Sequence, residues 1–176
     1  MFLSILLPRC LPAVVSLLAT VPLAAQASFS TFGTSCQSGL SLSASGLPQL
    51  GTTFVVGYTG PIGSSFIGAL STVNQPMLLL GTSNTQAGGV PLPAPLPTAL
   101  TAGATCNLLV SPDVVGVLPL TSAPPFGLPV AIPPAPGLIG FRFHAQWLLL
   151  SERSSSGQVQ WLRAFLSNGG TAIVGL

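Results

Sequence analysis

Charge is what this sequence has least of. Asp, Glu, Lys and Arg together make up 3% of its 176 residues, against roughly 25% in ordinary soluble domains. The whole inventory is Arg9, Asp113, Arg142, Glu152, Arg153 and Arg163, and lysine is absent. Each shortage excludes something. Three arginines scattered beyond residue 27 cannot neutralise the run of phosphates that a nucleic acid presents. Two carboxyls cannot furnish an EF-hand-like calcium cage. One histidine and three cysteines fall short of a four-ligand zinc site once Cys10 is set aside. There is no Walker or dinucleotide glycine motif, no G-x-S-x-G elbow and no N-x-S/T sequon.

What is present is apolar and rich in turn formers. Hydrophobic residues make up 48% of the chain, with 20 glycines and 18 prolines. Low charge with high apolar content argues against intrinsic disorder. Prolines at that density leave little room for a capped amphipathic helix.

The first 27 residues form a unit of their own. Arg9 precedes an uncharged run from Leu11 to Ala27, which closes on Ala25-Gln26-Ala27 before Ser28-Phe29-Ser30 turns polar. A positive residue, an apolar stretch and a small-residue exit make a secretory signal peptide. Retention as a membrane anchor is the rival reading. Pro12 and Pro22 interrupt the run, and its length lies at the bottom of the spanning range. The expected organisation is therefore a leader over 1–27 and one domain over 28–176, with no membrane span after cleavage. About 150 residues is enough to bury a substantial core.

Cleavage would also remove Cys10 and turn an odd cysteine count into the pair Cys36 and Cys106. In an oxidising compartment a Cys36–Cys106 disulfide is the natural expectation. Unpaired structural thiols, or a nucleophilic cysteine served by His144, are the alternatives.

Hydrophobic alternation runs along the mature chain. Leu40, Leu42 and Ala44 alternate with serines, and Phe54, Val56 and Tyr58 share one face before Thr59-Gly60-Pro61 ends the run. Short β-rich runs follow at 66–73, 77–81, 107–110, 114–120 and 127–132, separated by Gly, Pro, Ser and Asn. This pattern predicts a sandwich or barrel. Phe141, Phe143, Ala145, Trp147 and Leu149 alternate with Arg142, His144 and Gln146, giving the clearest strand. Ser154-Ser155-Ser156-Gly157 reads as a turn. The apolar phase then shifts near Trp161, which predicts a bulge, and Asn168-Gly169 reads as a hairpin turn ahead of a strand at Ala172–Val174. The Pro-rich stretches Val90–Thr98 and Pro119–Pro136 are expected to be connections or edges closed by proline; a polyproline ligand for an aromatic groove is the alternative.

Candidate chemistry is thin. Asp113 follows Ser111-Pro112 and reads as a turn cap; Glu152 reads as a solvated loop partner of Arg153; His144 reads as solvent-facing. A carboxyl dyad of Asp113 and Glu152, or a triad through His144, can be written only on paper. Trp147 belongs to an apolar face, where core packing is the usual fate. Trp161 is the better candidate for a ligand contact, with Tyr58 a third aromatic that could stack on a sugar ring.

Several short segments together resemble a family of uncharacterised secreted bacterial β-sandwich modules, often C-terminal in extracellular proteins. They are Phe32-Gly33-Thr34-Ser35-Cys36, Leu40–Gly46 with Leu47-Pro48-Gln49-Leu50-Gly51, Met77-Leu78-Leu79-Leu80-Gly81, the Cys106–Asp113 run, Phe143-His144-Ala145-Gln146-Trp147 and Leu166-Ser167-Asn168-Gly169. The resemblance implies a single antiparallel, immunoglobulin-like sandwich with a Cys36–Cys106 bridge, and no catalytic residue. The chain departs from the family pattern between Gln158 and Phe165. The resulting expectation is a non-enzymatic structural or interaction module of the cell exterior or envelope, without cofactor or metal. Its partners would be envelope proteins or glycans. A carbohydrate-binding module is the alternative, and a hydrolase a remote one.

Overall fold

The computed structural model describes residues 25–67, 70–120 and 126–176; the expected leader up to residue 24, with Arg9 and Cys10, lies outside them. The strands run in chain order as β1 (Ser28–Phe32), β2 (Ser41–Ser45), β3 (Thr53–Thr59), β4 (Gly63–Ile67), β5 (Leu70–Gly81), β6 (Gln86–Ala87), β7 (Val90–Pro91), β8 (Ala94–Pro95), β9 (Asn107–Leu108), β10 (Val114–Val117), β11 (Gly127–Ala131), β12 (Arg142–Ser155) and β13 (Gln158–Ile173). One 3-10 turn, Pro136–Leu138, breaks the pattern. The described residues are all-β, as the alternation predicts.

A large antiparallel sheet has the order β1-β13-β12-β5-β10, with β4 also paired to β5. A small sheet, β11-β3-β2, faces it. Between them lies the main core: Leu42, Phe54, Val56 and Tyr58 from the small sheet, with Leu40 just before β2, meet Leu78, Ala145, Trp147, Leu149 and Ala172 from the large one, with Val174 just after β13. This two-layer antiparallel arrangement is that of a sandwich. Trp147 sits at its centre, wholly buried. Its indole Nε1 donates to the Gly57 carbonyl across the layers at 2.9 Å, and its ring meets Tyr58 edge-on at 5.1 Å. Burial of each such side chain stabilises the fold by about 1.5–3 kcal/mol.

The opposite face of the large sheet is covered as well. The segment 82–113, with its short ladders β6-β7 and β8-β9, lies across it as a strap. A second core of Leu79, Val110 and Leu166 forms beneath, with Phe32, Leu108 and Leu148 packed against it. Cys36 and Cys106 are joined in a disulfide that closes a separation of 70 residues and ties the strap to the chain after β1. Gly81 marks the closest approach, since a Cβ there would collide with the Ser111 carbonyl.

Some sequence expectations fail, each for a physical reason. The run over 66–73 is not one strand: β4 and the start of β5 pair antiparallel, Ile67 opposite Leu70. The Asn168-Gly169 dipeptide is not a turn, because it lies inside β13. Gly169 faces Phe32 of β1 directly, and a Cβ there would run into the Phe32 ring. Glycine serves to seat an aromatic from the neighbouring strand. Asn168 Oδ1 accepts from the Leu42 amide at 2.9 Å, linking the two sheets. Ser167 and Asn168 together oppose Trp147, a bulge in which Ser167 Oγ accepts from the Trp147 amide and donates to the Asn168 carbonyl. The expected bulge near Trp161 is present: Arg153 faces Trp161 and Ser154 faces Val159, so Gln160 is extra. The turn between β12 and β13 narrows to Ser156-Gly157, with φ of 51° and 79°, the left-handed pair of a tight hairpin. Pro129 lies in β11, at the rim of the small sheet, where a missing N–H costs no ladder bond.

Candidate functional site

The fold separates the titratable residues that chemistry would need together. Asp113 leads into β10 and fastens the end of the strap. Its Oδ2 accepts from the Thr82 amide and hydroxyl, both at 2.8 Å, and from Ser111 Oγ at 3.1 Å. The Thr82 amide, then the Thr82 hydroxyl, hold its carboxyl below the ordinary range. This is the capping role its turn context predicts.

His144 is not solvent-facing. It is 4% exposed because the strap covers the face that open alternation would leave to water. Its Nδ1 lies 3.0 Å from Thr171 Oγ1, and its ring meets Phe32 edge-on at 6.2 Å. Burial, then the nearby Arg142 charge, lowers its pKa. Its hydrogen-bond partner is a threonine hydroxyl, not an acid. Gln146, next on that face, is fully buried. Its Oε1 accepts from the Leu109 amide, while Nε2 donates to the Asn107 and Ser167 carbonyls. One amide thus clamps the strap to the sheet. Among the described residues, no group of three or more His, Cys, Asp or Glu could hold a metal ion.

Glu152 lies within β12, opposite Leu162 of β13 and Val73 of β5, rather than in a loop. The far half of that strand gives the molecule its second region. Beyond Leu149, β12 runs on with β13, β5 and β4 as a four-stranded arm, residues 63–67, 70–75 and 150–163. Among the described residues, neither core includes any of them.

On the arm face that continues the Trp147 side, register places two rows of side chains across the strands. Trp161, Arg153, Thr72 and Ser65 face one another in one row, and Arg163, Ser151, Asn74 and Gly63 in the next. The Ser151 hydroxyl donates to Asn74 Oδ1 at 2.8 Å, within the second row. The Arg163 guanidinium lies over the Trp161 ring, 4.4 Å from its centroid. Such a stack is worth about 0.5–1 kcal/mol at a half-exposed site. Trp161, Arg153 and Arg163 are all half-buried. Glu152 belongs to the opposite face, so this face carries two positive charges and no carboxylate. Trp161, singled out from sequence, is joined here by Arg153 and Arg163. Sequence reasoning missed that pair because their meeting depends on hairpin register, which a bulge at Gln160 resets.

A further concavity of about 370 Å3 opens between the edges of the two sheets, lined by Leu80, Val114, Val130, Ile132, Phe141 and Phe143. It is apolar, with Thr82 and Asp113 at its rim. Trp147 and Tyr58, by contrast, are core residues, and Tyr58 donates to the Pro61 carbonyl at 2.7 Å; burial raises its pKa.

No family model, curated protein or solved structure matches the chain. What the fold itself defines is a class: an all-β domain of antiparallel sheets carrying one disulfide. Among the described residues, no helix is long and apolar enough to cross a membrane.

Proposed function

We propose that this chain is an exported, non-enzymatic interaction module of the cell exterior or envelope, built on an immunoglobulin-like sandwich behind a cleaved leader. The observation that carries the reading is how the polar groups are spent. Asp113 caps the strap, His144 meets Thr171, Gln146 clamps the strap backbone to that of β13, and the cysteines are joined. Asp113, His144 and the cysteines, candidates for acid–base or nucleophilic work, serve the scaffold instead, and Glu152 lies on the arm away from them. The disulfide supports residence in an oxidising compartment. The resemblance to secreted bacterial sandwich modules supports the same reading.

Saturable binding of the full chain, expressed in a secreting host, to isolated envelope material is the direct test. The reading expects a mature species beginning at Ser28, an intact disulfide, and binding without release of a soluble product. A product that accumulates with time and disappears in His144→Asn would overturn it in favour of a hydrolase. Absence of any binding to protein or glycan components of the envelope would also count against it.

A further inference from the structure

We infer that the two-row face of the arm binds a carboxylate-bearing polysaccharide, a polyuronate, with Arg153 and Arg163 as its anion contacts. The inference rests on the interaction-module reading and names the class of its partner.

The first argument is charge. Beyond residue 27 the chain carries Asp113, Arg142, Glu152, Arg153 and Arg163 as its only charged side chains. Two of the three cations fall on one face of the arm, on neighbouring strands and in adjacent rows. Directly paired positions lie about 5 Å apart and diagonal ones about 7–8 Å, so both guanidiniums reach a single extended ligand. The carboxylates are elsewhere: Asp113 is engaged by Thr82 and Ser111, and Glu152 points from the other face of β12.

The second argument is preorganisation. Arg163 is laid over Trp161, which restricts beforehand a side chain whose rotamer freedom would otherwise be lost on binding. A planar guanidinium held in place offers its N–H fork to a carboxylate bidentately. Because Arg163 covers one ring face, Trp161 acts as a positioning residue more than as a stacking platform. With Trp147 wholly buried, no pair of coplanar exposed indoles exists on these strands to grip a neutral sugar.

The third argument is what surrounds the cations. Ser65, Thr72, Ser151 and Asn74 complete the two rows across about 15 Å of sheet, four strands at about 4.8 Å spacing. The Ser65 and Thr72 hydroxyls and the Asn74 amide match the hydroxyl groups of a sugar chain, while the buried Ser151 donates to Asn74 and holds it in place. A nucleic acid would call for more cations than two. Ile67 and Leu70 make the next row on this face, with Ile67 largely exposed, so the vesicle arm of the test separates a sugar chain from an anionic membrane, which takes apolar residues beside its cations.

The test uses the full chain and polygalacturonate as probe, at low salt, with neutral dextran and phosphatidylglycerol vesicles in parallel. Binding to polygalacturonate, weakened by salt and absent with dextran, is expected. Arg153→Gln and Arg163→Gln should each weaken it about ten-fold, the loss of one charged hydrogen-bonded contact. Arg142→Gln removes the same charge from another place and should leave affinity unchanged. Arg163→Lys, which retains charge but not the fork, should fall between. Circular dichroism of every variant separates misfolding from lost contact. Equal weakening by Arg142→Gln would reduce the effect to net charge and overturn the inference. So would equal affinity for dextran, tighter binding to the vesicles, or no binding to polygalacturonate. Envelope binding that survives the Arg153→Gln/Arg163→Gln double variant would sink this inference while leaving the interaction-module reading in place.

Discussion

The two halves of the β12–β13 hairpin are made of the same strands and live in different surroundings. Near its open end, Ala145, Trp147 and Leu149 are buried against the small sheet, while His144 and Gln146 are buried beneath the strap. Toward its turn, residues 150–163 belong to neither core. The hydrogen-bond ladders continue without regard to the difference. Stability should therefore be concentrated at one end of a continuous sheet, and freedom to accept substitution or a ligand at the other. The lesson is that a strand's role is set by what covers it, since pairing alone is common to both ends.

Substitution of the two tryptophans gives the sharpest contrast. Trp147→Ala should destabilise by about 3–5 kcal/mol, from lost burial and the cavity left behind, with the Gly57 carbonyl also losing its donor. Trp161→Ala should cost no more than about 1 kcal/mol, as expected of a half-exposed residue whose main contact is one stacked arginine. Urea titration of both variants checks the ratio, and equal losses would erase the distinction between the halves.

The strap offers the next largest effects. Replacing Cys36 and Cys106 with serine should cost up to about 4 kcal/mol, the chain-entropy value for a loop of this length. Gln146→Ala should cost about 1–3 kcal/mol, because it leaves the buried Ser167 carbonyl without a donor and the half-buried Leu109 amide without an acceptor. If Gln146→Ala proved neutral, the strap would not be clamped as described.

A smaller effect should follow pH. The His144 pKa is lowered in the fold, so the unfolded chain binds the proton more readily. Stability is then fully present above the unfolded value of about 6.5 and is lost as pH falls through the lower folded value. Thermal midpoints should decline on acidification over that window, and His144→Gln should flatten the decline. Asp113 acts in the same direction in a more acidic range, its depressed pKa contributing above the ordinary carboxylate value and fading as pH falls through the folded one.

Much of this architecture is legible in the sequence where one face of a strand is buried. The alternation of Leu40 and Leu42, or of Phe54, Val56 and Tyr58, is the direct imprint of a half-covered sheet. The cysteine count likewise anticipates the bridge. Legibility fails where a second layer or a neighbour changes the meaning of a residue. His144 and Gln146 look solvent-facing because polar residues alternate with apolar ones, and the covering strap arrives from more than thirty residues away in the chain. Gly169 looks like a turn because its reason, the Phe32 ring, lies on β1. β1 itself escapes detection, since its Ser-Phe-Ser-Thr-Phe pattern spaces the aromatics three apart and fits neither period. The Arg153, Trp161 and Arg163 grouping is hidden for the same kind of reason, being a product of register.

Native-state hydrogen exchange along β12 would test the central contrast most directly. Amides of residues 145–149 should exchange only through global unfolding, while those of residues 150–155 should exchange through a partial opening of markedly lower free energy. A single, uniform protection along the whole strand would contradict the account.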